Sequence, residues 1–337
     1  MAATLWTNCW TTTATVLLQT MLRCAATTGS GLALPYSCPH AHAWCHDIIG
    51  SGDIKVRRDI TYGSAPNRLS REQQRLLLDM YDPGDSAGPR PLALLIHGGG
   101  WHASGDVGGK NTKKVKMAAM AFAQRGFVAI SIDYRCERAF GGKWLWVDAV
   151  ADGRSALRWV GAHAEAYKID MSRVVVYGTS AGAITVEGLC YMRAAANEPP
   201  VPKISAAISI SGALFNDTSS ICTPTEPPNS TCFPPGQHVW NPLYDHIPSS
   251  QSPPLIDFHG TADPTVPFDN ATNRPLAKRN QSCSATDTTA FLDAAGAPND
   301  LVPIPGAGHV PLAQVFAPPF NASFWGFLVA KLSPQFL

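Results

Sequence analysis

The chain has 337 residues, 45% of them hydrophobic and 15% charged, which is enough apolar content for a large buried core. With 26 Lys and Arg against 25 Asp and Glu and no sustained basic block, a net charge of +1 gives no electrostatic case for binding nucleic acid or an anionic membrane. No cofactor is expected, and nothing in the sequence marks a particular oligomeric state.

Residues 1–34 are rich in Thr and Ala, with an apolar stretch around Ala14 to Leu22 and no acidic residue before Asp47. They are expected to be a signal peptide or a disordered N-terminus. The apolar part is too short to span a bilayer, so no transmembrane segment is expected, and small residues near Gly31 and Ala33 suit a signal peptidase although the usual basic leader is missing. Residues 35–337 are expected to form a single domain. Near its start, Cys38, His40, His42, Cys45 and His46 fit no common zinc spacing, and a Cys38–Cys45 disulfide would consume the thiols; no metal site is expected.

Apolar runs at residues 92–96, 127–132, 173–177, 204–210 and 254–258 predict strands, and Ala, Leu, Val and Trp at helical spacing predict helices over 111–125, 145–167 and 181–196. Strands alternating with helices indicate a mainly parallel, doubly wound α/β sheet. The first strand runs into His97-Gly98-Gly99-Gly100-Trp101, a motif that presents backbone N–H groups to a developing oxyanion. His97 is expected to fix that loop, while Trp101, His102 and Phe215 are candidate pocket residues. Gly105 to Lys110 is one residue short of a phosphate-binding loop and Asn111 replaces the required Ser or Thr, so no nucleotide site is implied. The lysines from Lys110 to Lys116 read as a solvated helix start. Asp133 and Asp152 read as structural, pairing with Arg135 or Arg154.

The β-branched run Val174-Val175-Val176 leads into Gly178-Thr179-Ser180-Ala181-Gly182 and then an alanine-rich helix, the strand–turn–helix setting in which a serine hydroxyl is held exposed as a nucleophile. Such a serine calls for an acid and a base further along the chain. Asp263, in the turn just past the strand at 254–258, is freer to face a histidine than Asp257 inside that strand. His309 lies in the glycine-flanked loop Gly306-Ala307-Gly308-His309. The Pro-, Ser- and Thr-rich stretch at about 215–252 interrupts the pattern and reads as a cap or lid insertion or a glycosylated surface loop.

Five sequons at Asn216, Asn229, Asn270, Asn280 and Asn321 point to a secreted or luminal protein. The cysteines agree: Cys222 and Cys232 bracket a Pro-rich segment and Cys38 and Cys45 a short turn, as suits an oxidising compartment. Cys136, Cys190 and Cys283 remain, and if Cys9 and Cys24 leave with a signal peptide the mature count is odd.

On these motifs, together with Arg58-Asp59-Ile60-Thr61-Tyr62-Gly63, Leu77-Leu78-Asp79-Met80-Tyr81-Asp82-Pro83 and Ile130-Ser131-Ile132-Asp133-Tyr134-Arg135, the chain resembles the α/β-hydrolase superfamily, most of all its carboxylesterase and hormone-sensitive-lipase-type branches. The resemblance runs from roughly Asp59 to the C-terminus. It implies Ser180 as nucleophile, Asp263 as orienting acid, His309 as base and the N–H groups of Gly99, Gly100 and Ala181 as oxyanion donors, acting on a small-molecule ester. The interval from Asp263 to His309 is longer than that family usually shows, which implies an insertion. Two alternatives stand beside the esterase: an amide hydrolase of arylformamidase type, suggested by His-Gly-Gly-x-Trp, and a non-catalytic receptor on the same fold.

Overall fold

The structure, a computed structural model, describes residues 54–66, 72–84, 88–101, 109–136, 146–194, 197–214, 247–269 and 284–332. Residues 1–34, most of the stretch at 215–252 and the Cys38–Cys45 and Cys222–Cys232 pairs lie outside the described residues.

Eight strands form one sheet: β1 (Lys55–Pro66), β2 (Gln73–Asp82), β3 (Arg90–Ile96), β4 (Val128–Ile132), β5 (Ile169–Thr179), β6 (Ala206–Ile210), β7 (Leu255–Gly260) and β8 (Asn299–Ile304), in the order β1-β2-β4-β3-β5-β6-β7-β8. β1 and β2 pair antiparallel, as do β2 and β4, and every pairing from β4 through β3 to β8 is parallel. Among the described residues the helices are α1 (Lys113–Ala123), α2 (Trp146–His163), α3 (Ala181–Tyr191), α4 (Ala285–Ala294), the single turn α5 (Leu312–Val315) and α6 (Phe320–Leu332). Among the described residues no helix is long and apolar enough to cross a membrane.

Strand alternation explains the two cores. In β3, Leu92, Leu94 and Ile96 join one cluster and Ala93 and Leu95 the other; in β5, Val174 and Val176 divide from Val175 and Tyr177 in the same way. A parallel sheet covered on both faces needs such continuous apolar runs. α2 and α3 cover the first face with Trp146, Val150, Leu157 and Leu189, whereas α1 and α6 cover the second with Val115, Phe122, Phe324 and Leu328. The chain leaves β3 through α1 to β4, then crosses back over β3 through α2 to reach β5 on its far side. Crossovers that depart in opposite senses open a crevice at the carboxyl ends of β3 and β5, where doubly wound sheets bind ligands.

All five strands and three helices expected from the sequence are present, with ends shifted by a few residues. The edge strands β1 and β8 lack an apolar run because most of their side chains are only half-buried or exposed. Two charge assignments need correction. Lys110 is not part of a solvated helix start but is buried, with its ammonium 2.7 Å from Asp59 Oδ1, 2.9 Å from Asp79 Oδ1 and 3.8 Å from Asp133 Oδ2. Asp133 therefore serves Lys110, accepting its backbone N–H as well at 2.8 Å, and not an arginine. Asp152 does pair with Arg135, at 2.8 Å, while Arg154 reaches Glu198 at 2.7 Å.

Because removing one partner of a buried ion pair strands the other charge, Lys110→Met is expected to lower the unfolding free energy by about 3 kcal/mol. Urea denaturation of the two chains measures the difference, and an unchanged midpoint would mean that Asp79 is held well enough by Arg58 alone.

Candidate active site

The Ser180 turn is built by exclusion. Ser180 sits at φ 53 and ψ −124, a left-handed conformation that a residue with a Cβ adopts only when its surroundings impose it. They do so through backbone contact: a Cβ on Gly178 would lie 2.2 Å from the Gly182 carbonyl oxygen, and one on Gly182 would lie 2.2 Å from that of Ile96. Both flanking glycines are thus required by the space between β3, β5 and α3. Although Ser180 precedes α3, its hydroxyl makes no capping bond to the helix. It lies instead 2.8 Å from Nε2 of His309.

His309 follows β8, and its Nδ1 is 2.7 Å from Oδ2 of Asp263, which follows β7. With Asp263 as acceptor, the proton sits on Nδ1 and Nε2 is free to take the Ser180 proton. Asp263 is fully buried, and its other oxygen accepts the N–H groups of Thr265 at 2.8 Å and Val266 at 3.0 Å. Burial alone would raise its pKa, but the His309 hydrogen bond and charge, the Thr265 N–H and nearby His259 together hold the carboxyl below its ordinary range. The loop carrying His309 is seated by further bonds, from Val310 N–H to Ser211 Oγ at 3.0 Å and from Gly306 N–H to Thr261 Oγ1 at 2.8 Å.

The loop after β3 abuts the same turn. His97 is buried and stacked on Tyr134 at 4.1 Å, donates from Nδ1 to the Gly98 carbonyl at 2.7 Å, and offers its own carbonyl to the Tyr134 hydroxyl at 2.8 Å. Burial pushes its pKa down, against the Gly98 bond and the Asp133 charge, so the ring is a neutral strut. A Cβ on Gly98 would meet the Thr179 carbonyl at 2.7 Å. Gly99, Gly100 and Trp101 then take positive φ of 111, 62 and 57 in succession, turning the backbone beside Ser180. Trp101, expected in the pocket wall, is instead buried in the core beneath the loop, its indole N–H on Thr185 Oγ1 at 3.2 Å and that hydroxyl on the Ala181 carbonyl at 2.8 Å. Its burial makes it a brace between the loop and α3.

The structure thus brings together Ser180, Asp263 and His309; Ala181 follows Ser180 as the first residue of α3, and Gly99 and Gly100 follow Gly98, which abuts the Ser180 turn. His102, Phe215, Asn216, Asn229, Asn270 and Asn280 lie outside the described residues, and Asn321 is half-buried in the first turn of α6. The sequence reading missed His259, buried in β7, with Nδ1 3.0 Å from Asp257 Oδ2 and Nε2 2.9 Å from the Val266 carbonyl. The signal was there: Asp257 and His259 are two apart on a strand and so share a face. Burial works against its charge, yet Asp257, Val266 and Asp263 outweigh burial and hold the ring above the ordinary histidine range. The signs differ: the stability contributed by Asp263 is lost as pH falls through its lowered pKa, and that contributed by His259 as pH rises through its raised one.

Comparison with known proteins gives a consistent picture. Residues 78–198 match the family model BD-FAE. The isoprenylcysteine alpha-carbonyl methylesterase ICME of Arabidopsis thaliana is 26% identical over 280 residues, 77% of this chain and 57% of that protein. The probable methylesterase ICMEL1 of the same plant is 28% identical over 236 residues, 64% of this chain and 45% of its own length. The chain therefore spans about half the length of these curated relatives. Among solved structures, the esterase Est2 of Thermogutta terrifontis aligns with a TM-score of 0.57 at 25% identity, over 84% of this chain and 94% of Est2. Other structures of that enzyme hold propionate or butyrate, or are phosphorylated by paraoxon.

Gly260 ends β7 where a Cβ would lie 2.3 Å from the carbonyl oxygens of both Ala307 and Gly308. Gly260→Ala should push the His309 loop away without touching the triad, and a displacement near 1 Å is expected to cost about 10²-fold in kcat/KM. Ester-hydrolysis kinetics beside a melting curve test this: activity should collapse in a chain that is still folded.

Proposed function

We propose that this chain, which belongs to the α/β-hydrolase superfamily with the hormone-sensitive-lipase-like carboxylesterases, hydrolyses carboxylic esters through a Ser180 acyl-enzyme. The observation that carries the reading is the continuous line of short contacts from Asp263 through His309 to a Ser180 hydroxyl that no helix cap claims. In this reading His309 Nε2 takes the proton as Ser180 Oγ attacks the ester carbonyl, and Asp263 orients the ring and stabilises its charged form. The N–H groups of Gly99, Gly100 and Ala181 hold the tetrahedral oxyanion, each worth roughly 3 kcal/mol in such sites. His309 then returns the proton to the leaving alcohol, and water activated by the same histidine releases the acid.

Short-chain esters are the proposed substrates, supported by the likeness to an esterase that binds propionate and butyrate. The five sequons and the closely spaced cysteine pairs support a secreted or luminal setting. Treating protein made through a secretory pathway with a peptide N-glycosidase should lower its mass; an unchanged mass would remove that assignment.

The test of the chemistry is labelling. Paraoxon should inactivate the wild type with one diethylphosphoryl group on the Ser180 peptide, and Ser180→Ala should lose at least about 10⁴-fold in p-nitrophenyl acetate turnover. A folded wild type that cleaves no ester from acetate to palmitate and resists paraoxon would overturn the esterase reading.

A further inference from the structure

Behind the triad lies a second histidine–carboxylate pair. We infer that His259 is a permanent imidazolium that serves as a positioning residue, pinned between Asp257 and the Val266 carbonyl and holding the Asp263 carboxylate ionised and aimed at His309. The inference rests on the triad reading of Asp263 and His309 given above.

A neutral imidazole has one N–H and one lone pair, yet both nitrogens of His259 face acceptors, Asp257 Oδ2 at 3.0 Å and the Val266 carbonyl at 2.9 Å. Either neutral tautomer would set a lone pair against an oxygen at a fully buried position, and a buried acceptor left unpaired is costly. With Asp257 ionised, only the doubly protonated ring satisfies both.

Its Nε2 also lies 3.6 Å from Asp263 Oδ2, the oxygen that takes the His309 proton donor. Val266 joins the two groups, since its carbonyl accepts from His259 while its N–H donates to Asp263 Oδ1 at 3.0 Å. The turn from Asp263 to Val266 is therefore closed on both sides by charged partners. Groups face this ring from each neighbouring element: Asp257 from its own strand, Asp263 from the following turn, the Phe268 ring at 6.1 Å, and His309 beyond Asp263. From α3, Glu187 joins through Ser209 Oγ at 3.1 Å. Burial, with the Asp257 charge adding to it, pushes the Glu187 carboxyl well above its ordinary range. His259 is left as the fixed cation between two buried carboxylates.

Losing that cation leaves the field at His309 more negative, which favours the protonated base and moves the acid limb of the kcat/KM profile to higher pH. His259→Gln keeps an amide that can donate but carries no charge. We expect its acid limb to move up by about one pH unit, with the plateau down roughly tenfold. A purely structural role would lower the plateau and leave the midpoint where it was, and that result would overturn the inference.

A second measurement needs no turnover. In ¹⁵N-histidine NMR of the wild type, with His259 assigned by its absence in His259→Gln, both ring nitrogens should remain protonated at pH values where an ordinary histidine, of pKa about 6.5, is neutral. A ring that loses its proton below pH 7 sinks the proposal even in an active enzyme. A ring that stays charged in a chain without esterase activity would sink the hydrolase reading and leave the imidazolium standing.

Discussion

The arrangement depends on a packing constraint: three backbone segments meet at Ser180 with no room for a methyl group between them. The end of β3, the last turn of β5 and the first turn of α3 approach so closely that Gly98, Gly178 and Gly182 could not carry a Cβ without meeting a carbonyl oxygen. That contact holds Ser180 in a strained conformation that a lone strand–helix turn would relax. It also fixes the distance between the Ser180 turn and the loop of positive-φ residues that follows β3. Alignment of that turn and that loop is therefore one packing event, inherited from the pairing of β3 with β5.

Three consecutive residues at the exit of β4 secure the ground on which this contact rests. Asp133 binds Lys110 ahead of α1, Tyr134 stacks on His97 and bonds its carbonyl, and Arg135 pairs with Asp152 on α2. Each holds a different element, and two of the three use charges buried deeply enough that a lost partner is felt. The Asp-Tyr-Arg run thus ties the exit of β4 to the segment ahead of α1, to His97 after β3 and to α2.

Much of this was legible in the chain. Buried parallel strands must be continuously apolar, so β3 to β7 announced themselves, and the glycine spacing around Ser180 and the glycine-flanked His309 followed from backbone needs that few other residues meet. What stayed hidden depends on long-range pairing. Lys110 looks like its exposed neighbours Lys113 and Lys114 until Asp79, thirty-one positions earlier, closes over it. Trp101 reads as a pocket wall until Thr185 draws its indole inward. His259 lay one residue past the run at 254–258 taken as a strand, and its charge depends on the Val266 carbonyl, which turns back toward it only after the chain reverses at Asp263.

Ser180, Asp263 and His309 are also divided across the sheet. Ser180 leaves the centre, at β5, with strands on both sides, while His309 leaves β8, which pairs with β7 alone and whose side chains are mostly half-buried or exposed. Local opening energies rise from the edge of a sheet toward its middle. The outermost strand can therefore fray and carry His309 away while the Ser180 turn and both cores persist, so the contact between these two side chains can open long before the fold does, and with the central scaffold intact it can close again.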